Sequence, residues 1–296
     1  MRIDAPSNPR IAAAVKAAAS GASMLLEGQR MIEDALDAGV RIEEIFFVRK
    51  EGEGDEREGR EEEDFLRRVR GEGSSGREDD ARPPAASSAP APRVSEVSAR
   101  VLRKLSDLPS TRSVVALATP PHRTMASLPS LLPSKKSLSS SSSSPLFLIL
   151  DDIQDPANVG AILRSAEAFG VAAAILTPGC AWPFSPRALR ASAGSVFRLP
   201  VCTGVTPDDA VLWARTNGIA LAGAETRGGA APEALAGIRP LAVVIGSEGH
   251  GISPALSAAL DRRVTIALEG RVESLNAAVA AGVLLNILAR RRASPG

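Results

Sequence analysis

The chain has 296 residues, 44% of them hydrophobic and 23% charged, with a formal net charge of +1, which suits one large globular domain or two of ordinary size. Aromatics make up 3% with no tyrosine, which counts against reading RNA through many stacked rings. Cys180, Cys202, His122 and His250 share no metal-ligand or C-x-x-C spacing, and no apolar run approaches the roughly 18 residues of a membrane span, so no metal, disulfide framework or membrane partner is expected.

The N-terminus, "MRIDAPSNPRIAAAVKAAAS", lacks a hydrophobic signal core. A cytoplasmic location is expected, although basic residues and alanines there also suit an organellar presequence. "SMLLEGQRMIEDALDAGV" places Met31, Ile32, Ala35 and Leu36 at helical spacing, with Gly39 as a C-cap. "IEEIFFV" (Ile42 to Val48) reads as a strand. A second helix carries Val101, Leu102 and Leu105 inward and leads to a strand at Val114 to Ala118. Between these sets, residues 51–94 form an insertion rich in charge, Gly, Ser and Pro, for which disorder is expected apart from a short helix near Asp64 to Val69. From Glu51 to Arg93 there are 13 acidic and 8 basic residues, net −5, so the remainder carries 27 basic against 21 acidic, net +6. The folded parts are thus mildly basic, which permits a polyanionic partner.

The first domain is therefore read as residues 1–120, followed by a Ser/Pro-rich linker at 121–145 and a second domain at 146–292. In the second, strands are expected at Leu146–Leu150, Val171–Thr177, Ile219–Ala224, Leu241–Ile245 and Val264–Leu268, alternating with helices. That pattern predicts an α/β fold with a parallel sheet and helices on both faces, and ligands collect at the carboxyl ends of such strands.

Three stretches at those ends carry chemistry. In "DDIQDPANVGAILRSAEAFG", Asp155 suits an N-cap and Pro156 the first helical position, with Val159, Ile162, Leu163, Ala166 and Phe169 inward. Asn158 falls in the first turn, and Arg164 follows Gly160 by four residues, so its guanidinium is expected to pass over a position without a side chain. The set suits gripping a polar anion. In "LAVVIGSEGHGIS", a buried strand opens into a glycine-rich loop with neither dinucleotide nor P-loop spacing, and Glu248 within it argues against a phosphate cradle. In "VTIALEGRVESLNAAVAAGVLLNILARR", a strand leads to Ser274, a plausible N-cap, and Asn276 ahead of a long Ala/Leu/Val helix.

Together and in this order, "DPANVGAILRSAEAFG", "VIGSEGHGIS" and "IALEGRVESLNAAVAAGVLL" closely resemble the three signature motifs of the SpoU (TrmH-type) RNA 2′-O-ribose methyltransferases of the SPOUT superfamily. "ASAGSVFRLPV" resembles a further family segment. "LLEGQRMIEDAL", "EEIFFV" and "VLRKLSDL…SVVAL" resemble the family's small L30e-like substrate-binding domain, interrupted by the acidic insertion. The third motif has Ala267-Leu268 where the family often has Pro-Met, and Ala277-Ala278 after its Ser-Leu-Asn.

The resemblance implies a C-terminal trefoil knot that holds S-adenosylmethionine bent, largely through backbone groups. Its contacts would come from Ala222, Gly223, Ile245, Gly246, Ile266, Leu268, Ser274, Leu275 and Asn276. Arg164 would be catalytic, as an anchor for substrate phosphate or as a base, with Asn158 orienting it or the ribose and Glu248 holding Arg164 or Asn276. Family members act as dimers through the knot helices, and the apolar final helix, Leu275 to Ala289, suits such a face. The expected substrate is RNA, rRNA ahead of tRNA. Two other classes compete: a non-catalytic RNA-binding protein on the same fold, against which the intact Asn158, Arg164, Glu248, Ser274 and Asn276 weigh, and a nucleotide-dependent dehydrogenase, disfavoured because no G-x-G-x-x-G follows the first strand.

Overall fold

A computed structural model describes residues 2–49, 64–69, 91–106, 114–121, 123–131, 145–238 and 240–293. They form two units, Met1–Pro121 with Phe184–Pro186, and His122–Pro183 with Arg187–Gly296.

In the first unit, Asn8 opens helix α1 (Pro9–Ala19): its side chain accepts from Arg10 N at 3.0 Å, and Pro9 presets φ for the first turn. Strand β1 (Met24–Glu27), helix α2 (Gln29–Asp37) and strand β2 (Ile42–Phe47) follow, then β3 (Arg93–Glu96), α3 (Ala99–Leu105) and β4 (Val114–Ala118). The sheet order is β1-β4-β2-β3, antiparallel except where β3 joins β2. Ile11, Phe46, Val101, Leu102, Leu105 and Val115 share its core.

Three expectations change here. The helical spacing from Met31 to Leu36 is that of α2, but the "MLLE" ahead of it, for which no strand was expected, is one, buried at all four positions and paired with β4. Residues 64–69 are helical, with Phe65 and Val69 buried; Arg93 already lies in a strand, and the rest of the expected disorder falls outside the described residues. The stretch read as linker contains a 3-10 helix, Met125–Leu131, whose Leu128 is buried in the core of the second unit.

The second unit is built on six parallel strands, β5 (Leu146–Asp151), β6 (Ala173–Leu176), β7 (Val201–Thr203), β8 (Ala220–Ala224), β9 (Leu241–Gly246) and β10 (Arg262–Val264), in the order β10-β8-β9-β5-β6-β7. Its helices are α4 (Pro156–Ala168), α5 (Pro186–Ser192), α6 (Ser195–Arg198), α7 (Pro207–Thr216), α8 (Pro254–Ala258) and α9 (Ala277–Ala293). Phe147, Ile149, Ala242 and Val244 face a core closed by α7 and α8, with the Phe147 and Trp213 rings edge to face at 5.0 Å. Helix α9 packs on α4.

Strand β7 was not foreseen; three residues are too few to show a period. Strand β10 ends earlier than expected because Thr265 leaves β8 for the 229–230 segment: Thr265 N donates to Ala230 O and Gly229 N to Thr265 Oγ1, both at 2.9 Å. From β5 the chain steps one way to β6, while from β9 it steps the other way to β10. The carboxyl ends of β5 and β9, side by side, are thus a topological switch point, where a crevice forms.

Asp261, just before β10, ties this edge together. Its carboxylate accepts from Leu221 N at 2.8 Å and from Arg215 Nη1 at 2.9 Å. Burial pushes its carboxyl up, but those two donors outweigh it and hold the group below the usual carboxylate range. Glu167 is also held low, first by its bond to Arg198. A folded-state pKa below the unfolded value stabilises the protein above the unfolded carboxylate range, and that stabilisation is lost as pH falls through the folded value. The melting temperature is therefore expected to drop between about pH 5 and 3, and less steeply in Asp261→Asn, as thermal unfolding across that range would record.

Candidate active site

Strand β5 is buried along its whole length and hands the chain to α4 through Asp152, Ile153 and Gln154. Asp155 is the N-cap: its carboxylate accepts from Ala157 N at 2.9 Å and lies 3.4 Å from Arg187. Asn158 is consequently in the first turn, half-buried, at the switch point. Strand β9 ends in Gly246, whose register partner is Asp151. A Cβ at Gly246 would overlap the Gly251 carbonyl and Ile252 N, so a side chain there would block the loop from folding back. The loop is closed by Ser247 N to Gly251 O (3.1 Å) and Gly251 N to Ser247 O (2.9 Å), and it presents Glu248 to the start of α9.

Helix α9 begins at Ala277 and is capped by Asn276, whose Oδ1 accepts from Ala278 N at 2.9 Å and Val279 N at 3.3 Å. The Asn276 amide donates to Glu248 Oε1 at 2.9 Å and to Asn158 Oδ1 at 3.0 Å. Asn158 Nδ2 and Ala277 N, each at 3.1 Å, donate to that same glutamate oxygen. One carboxylate oxygen thus gathers three donors at the positive end of a 17-residue helix. A cavity of about 260 Å³ adjoins the cluster, with Asp152, Gln154, Asp155 and His250 among its walls.

Three of the four residues expected to be catalytic, Asn158, Glu248 and Asn276, are therefore in mutual contact. The fourth, Arg164, is exposed on α4, and no hydrogen bond or ion pair reaches its side chain among the described residues. Several local expectations are corrected. Of the two partners expected for Glu248, it holds Asn276 and not Arg164, and it holds Asn158 as well. Gly160 does not make room for the guanidinium; it is buried against α5, where a Cβ would overlap the Ala188 carbonyl and lie 2.7 Å from Ala191 Cβ. Ser274 is exposed and is not the cap, since the helix starts at Ala277 behind Asn276.

Of the residues expected around a cofactor, Ala222, Gly223 and Ile245 are buried in their strands, and the space above Gly223 is filled by Leu260 and Ile252. Ile266, Leu268, Ser274 and Leu275 lie in the segment between β10 and α9, where no hydrogen bond reaches residues 266–275 among the described residues. Sequence reading missed the buried Asp151, which the only available signal, a carboxylate closing an apolar run, does not distinguish from a strand end.

Burial pushes the Cys202 thiol up to about 11 and raises that of Cys180, so neither supplies a thiolate near neutral pH. Among the described residues no group of three His, Cys, Asp or Glu side chains is placed to hold a metal ion, and no helix is long and apolar enough to cross a membrane.

Residues 145–286 match the SpoU rRNA Methylase family. All six strands of the second unit fall within that match. An uncharacterized tRNA/rRNA methyltransferase of Mycobacterium leprae (strain TN) is 38% identical over 181 residues, 60% of this chain and 56% of that protein. One from Mycobacterium ulcerans (strain Agy99) is 38% identical over 147 residues, 50% of this chain and 47% of its own. The chain spans about half the length of the curated relatives it matches. Among solved structures, an RNA 2′-O ribose methyltransferase is 28% identical with a TM-score of 0.71, over 99% of this chain and 100% of that one. The SpoU methyltransferase AviRb from Streptomyces viridochromogenes, solved in complex with AdoMet, has the same fold, at 23% identity and a TM-score of 0.75 over 98% of this chain and 100% of that one. The parallel sheet and its flanking helices are thus the SPOUT methyltransferase fold.

Proposed function

We propose that this chain transfers a methyl group from S-adenosylmethionine to a ribose 2′-hydroxyl of RNA, with rRNA as the substrate ahead of tRNA. The observation that carries the reading is the Glu248 oxygen that joins Asn158, Asn276 and the first amide of α9 at the switch point of the sheet. The 28% identical RNA 2′-O ribose methyltransferase, similar along the whole chain, supports it, as do relatives named tRNA/rRNA methyltransferases.

Residues 266–276 fit the cofactor. Ile266, Leu268 and Leu275 give apolar surface, and the neighbouring backbone groups have no partner among the described residues before Asn276. This is where the expected knot would close. S-adenosylmethionine, when bound, supplies an electrophilic methyl on a sulfonium sulfur. Asn158 keeps one amide N–H without a partner among the described residues, a donor left for the ribose. Arg164 anchors the adjoining phosphate and stabilises the oxyanion that develops as the hydroxyl passes its proton to solvent water and its oxygen takes the methyl, leaving the sulfonium as a neutral thioether. It is not assigned as the base, because a guanidinium loses its proton only above about pH 12. The first unit, with its L30e-like pattern, would hold the RNA.

A homodimer through α9 completes the reading. From Ala277 to Ala289 that helix is apolar apart from Asn286, a pattern that belongs to a helix covered on most sides, yet Val279 is 52% and Val283 36% exposed. Replacing both by glutamate is expected to shift a dimer to monomer in analytical ultracentrifugation; a sedimentation coefficient unchanged from a wild-type dimer would reject this face.

The function is tested by incubating the purified protein with methyl-labelled S-adenosylmethionine and separate unmodified rRNA and tRNA. Label in rRNA, recovered as an alkali-resistant 2′-O-methylated dinucleotide, is the expected result. Label on a base, or none in either RNA, overturns the reading; label in tRNA alone corrects the substrate.

A further inference from the structure

We infer that Asp151 is a positioning residue, whose buried carboxylate fixes the Glu248 loop and, through it, the Asn158–Asn276 cluster; only the kinetic consequence rests on the methyltransferase reading. Asp151 is 2% exposed at the end of β5. One oxygen accepts from Thr177 Oγ1 at 3.0 Å and the other from Ser253 N at 2.7 Å. Thr177 Oγ1 in turn accepts from Asp152 N at 3.1 Å, so the same set holds the turn that leads to Asn158.

The geometry points to the loop between β9 and α8. The strand residue it leaves from, Gly246, is the register partner of Asp151, and its far end, Ser253, is bonded to the Asp151 carboxylate. Both ends of the loop are therefore referred to one residue. Between them the Ser247–Gly251 backbone pair closes the hairpin, which leaves Glu248 little freedom beyond its own rotamers. A carboxylate in an apolar interior is costly unless its oxygens are bonded, and the Asp151 oxygens are bonded to a hydroxyl and an amide, with no cation paired to them among the described residues. Filling the end of β5 with an apolar side chain would avoid that cost. What such a residue could not do is hold the Ser253 amide and the Thr177 hydroxyl together.

The test uses Asp151→Ala and Asp151→Asn, each alone and combined with Glu248→Ala. Three quantities are read: the single-turnover rate of methyl transfer at saturating RNA and S-adenosylmethionine, amide exchange at Ala277, and melting temperature. Asp151→Ala is expected to slow transfer about 10- to 100-fold and to speed exchange at Ala277, which Glu248 protects. Asp151→Asn should recover most of both, because its carbonyl can still accept from Ser253 N. Its amide can donate to Thr177 Oγ1 while that hydroxyl turns to Pro178 O, now 3.4 Å away. With Glu248 already removed, Asp151→Ala should slow transfer no further.

Additive slowing in the double variant, or unchanged exchange at Ala277 in Asp151→Ala, overturns the assignment. If Asp151→Ala does not fold, Thr177→Val, which removes one of the two bonds, is read the same way. If the wild-type protein methylates no RNA, the functional reading fails by itself, and exchange at Ala277 still decides the role of Asp151.

Discussion

Arg164→Ala is expected to slow methyl transfer by on the order of 10²–10³ in a single turnover, with S-adenosylmethionine affinity and melting temperature nearly unchanged. The separation follows from where the side chain stands. The Arg164 side chain is exposed and makes no hydrogen bond or ion pair among the described residues, so removing it breaks no polar contact. Surface changes of that kind stay within about 0.5 kcal/mol. The helix beneath it is well fixed, through the buried Val159, Ile162, Leu163 and Ala166 and through the close approach of Gly160 to α5. Such a base gives a mobile side chain a fixed origin, which suits a cation that acts only when a phosphate arrives.

Arg164→Lys should fall between the two. It keeps the charge but loses the planar fork that grips two phosphate oxygens. Removal of one phosphate contact should also flatten the salt dependence of RNA binding, by about 0.7 in the log–log slope for a single strand. Isothermal titration with cofactor, salt-dependent RNA binding and rapid-quench kinetics measure these separately. An unchanged single-turnover rate removes Arg164 from the chemistry. A large fall in melting temperature would instead make it a structural residue.

The parts of the site legible in the sequence are those whose cause is local. Asp155 and Pro156 announce the start of α4, and the stripe from Val159 to Ala166 announces its buried face, because capping and helical period act within a few residues. The glycine at 246 announces a close approach, although not that Gly251 is what approaches. Ser274 and Asn276 are both good caps, two residues apart, and nothing local separates them. Glu248, 28 residues earlier in the chain, does so by accepting from Asn276 and from Ala277 N. Asp151 is hidden for the same reason: its bond to Ser253 spans 102 residues. Strand β1 fails differently. "MLLE" runs straight into a helical pattern, and four buried residues in a row carry no period to tell a strand from a helix.

Glu248→Ala should separate stability from turnover in the opposite sense to Arg164. Its oxygen accepts from Asn158, Asn276 and Ala277 N, yet the residue is exposed, so water can replace much of what is lost. The Asn276 cap on Ala278 and Val279 does not depend on it. Stability is therefore expected to fall by only about 0.5–2 kcal/mol, the usual range for losing a helix N-terminal acceptor. Turnover should fall much further, by about 100-fold, because water restores hydrogen bonds without restoring the position of two amides. Glu248→Gln keeps an oxygen for the same donors and loses the charge, so it should retain more activity than alanine. The comparison is decisive through its order. Alanine and glutamine variants equally active with wild type would reduce the cluster to a helix cap, and the ribose would have to be held by groups elsewhere on the sheet edge.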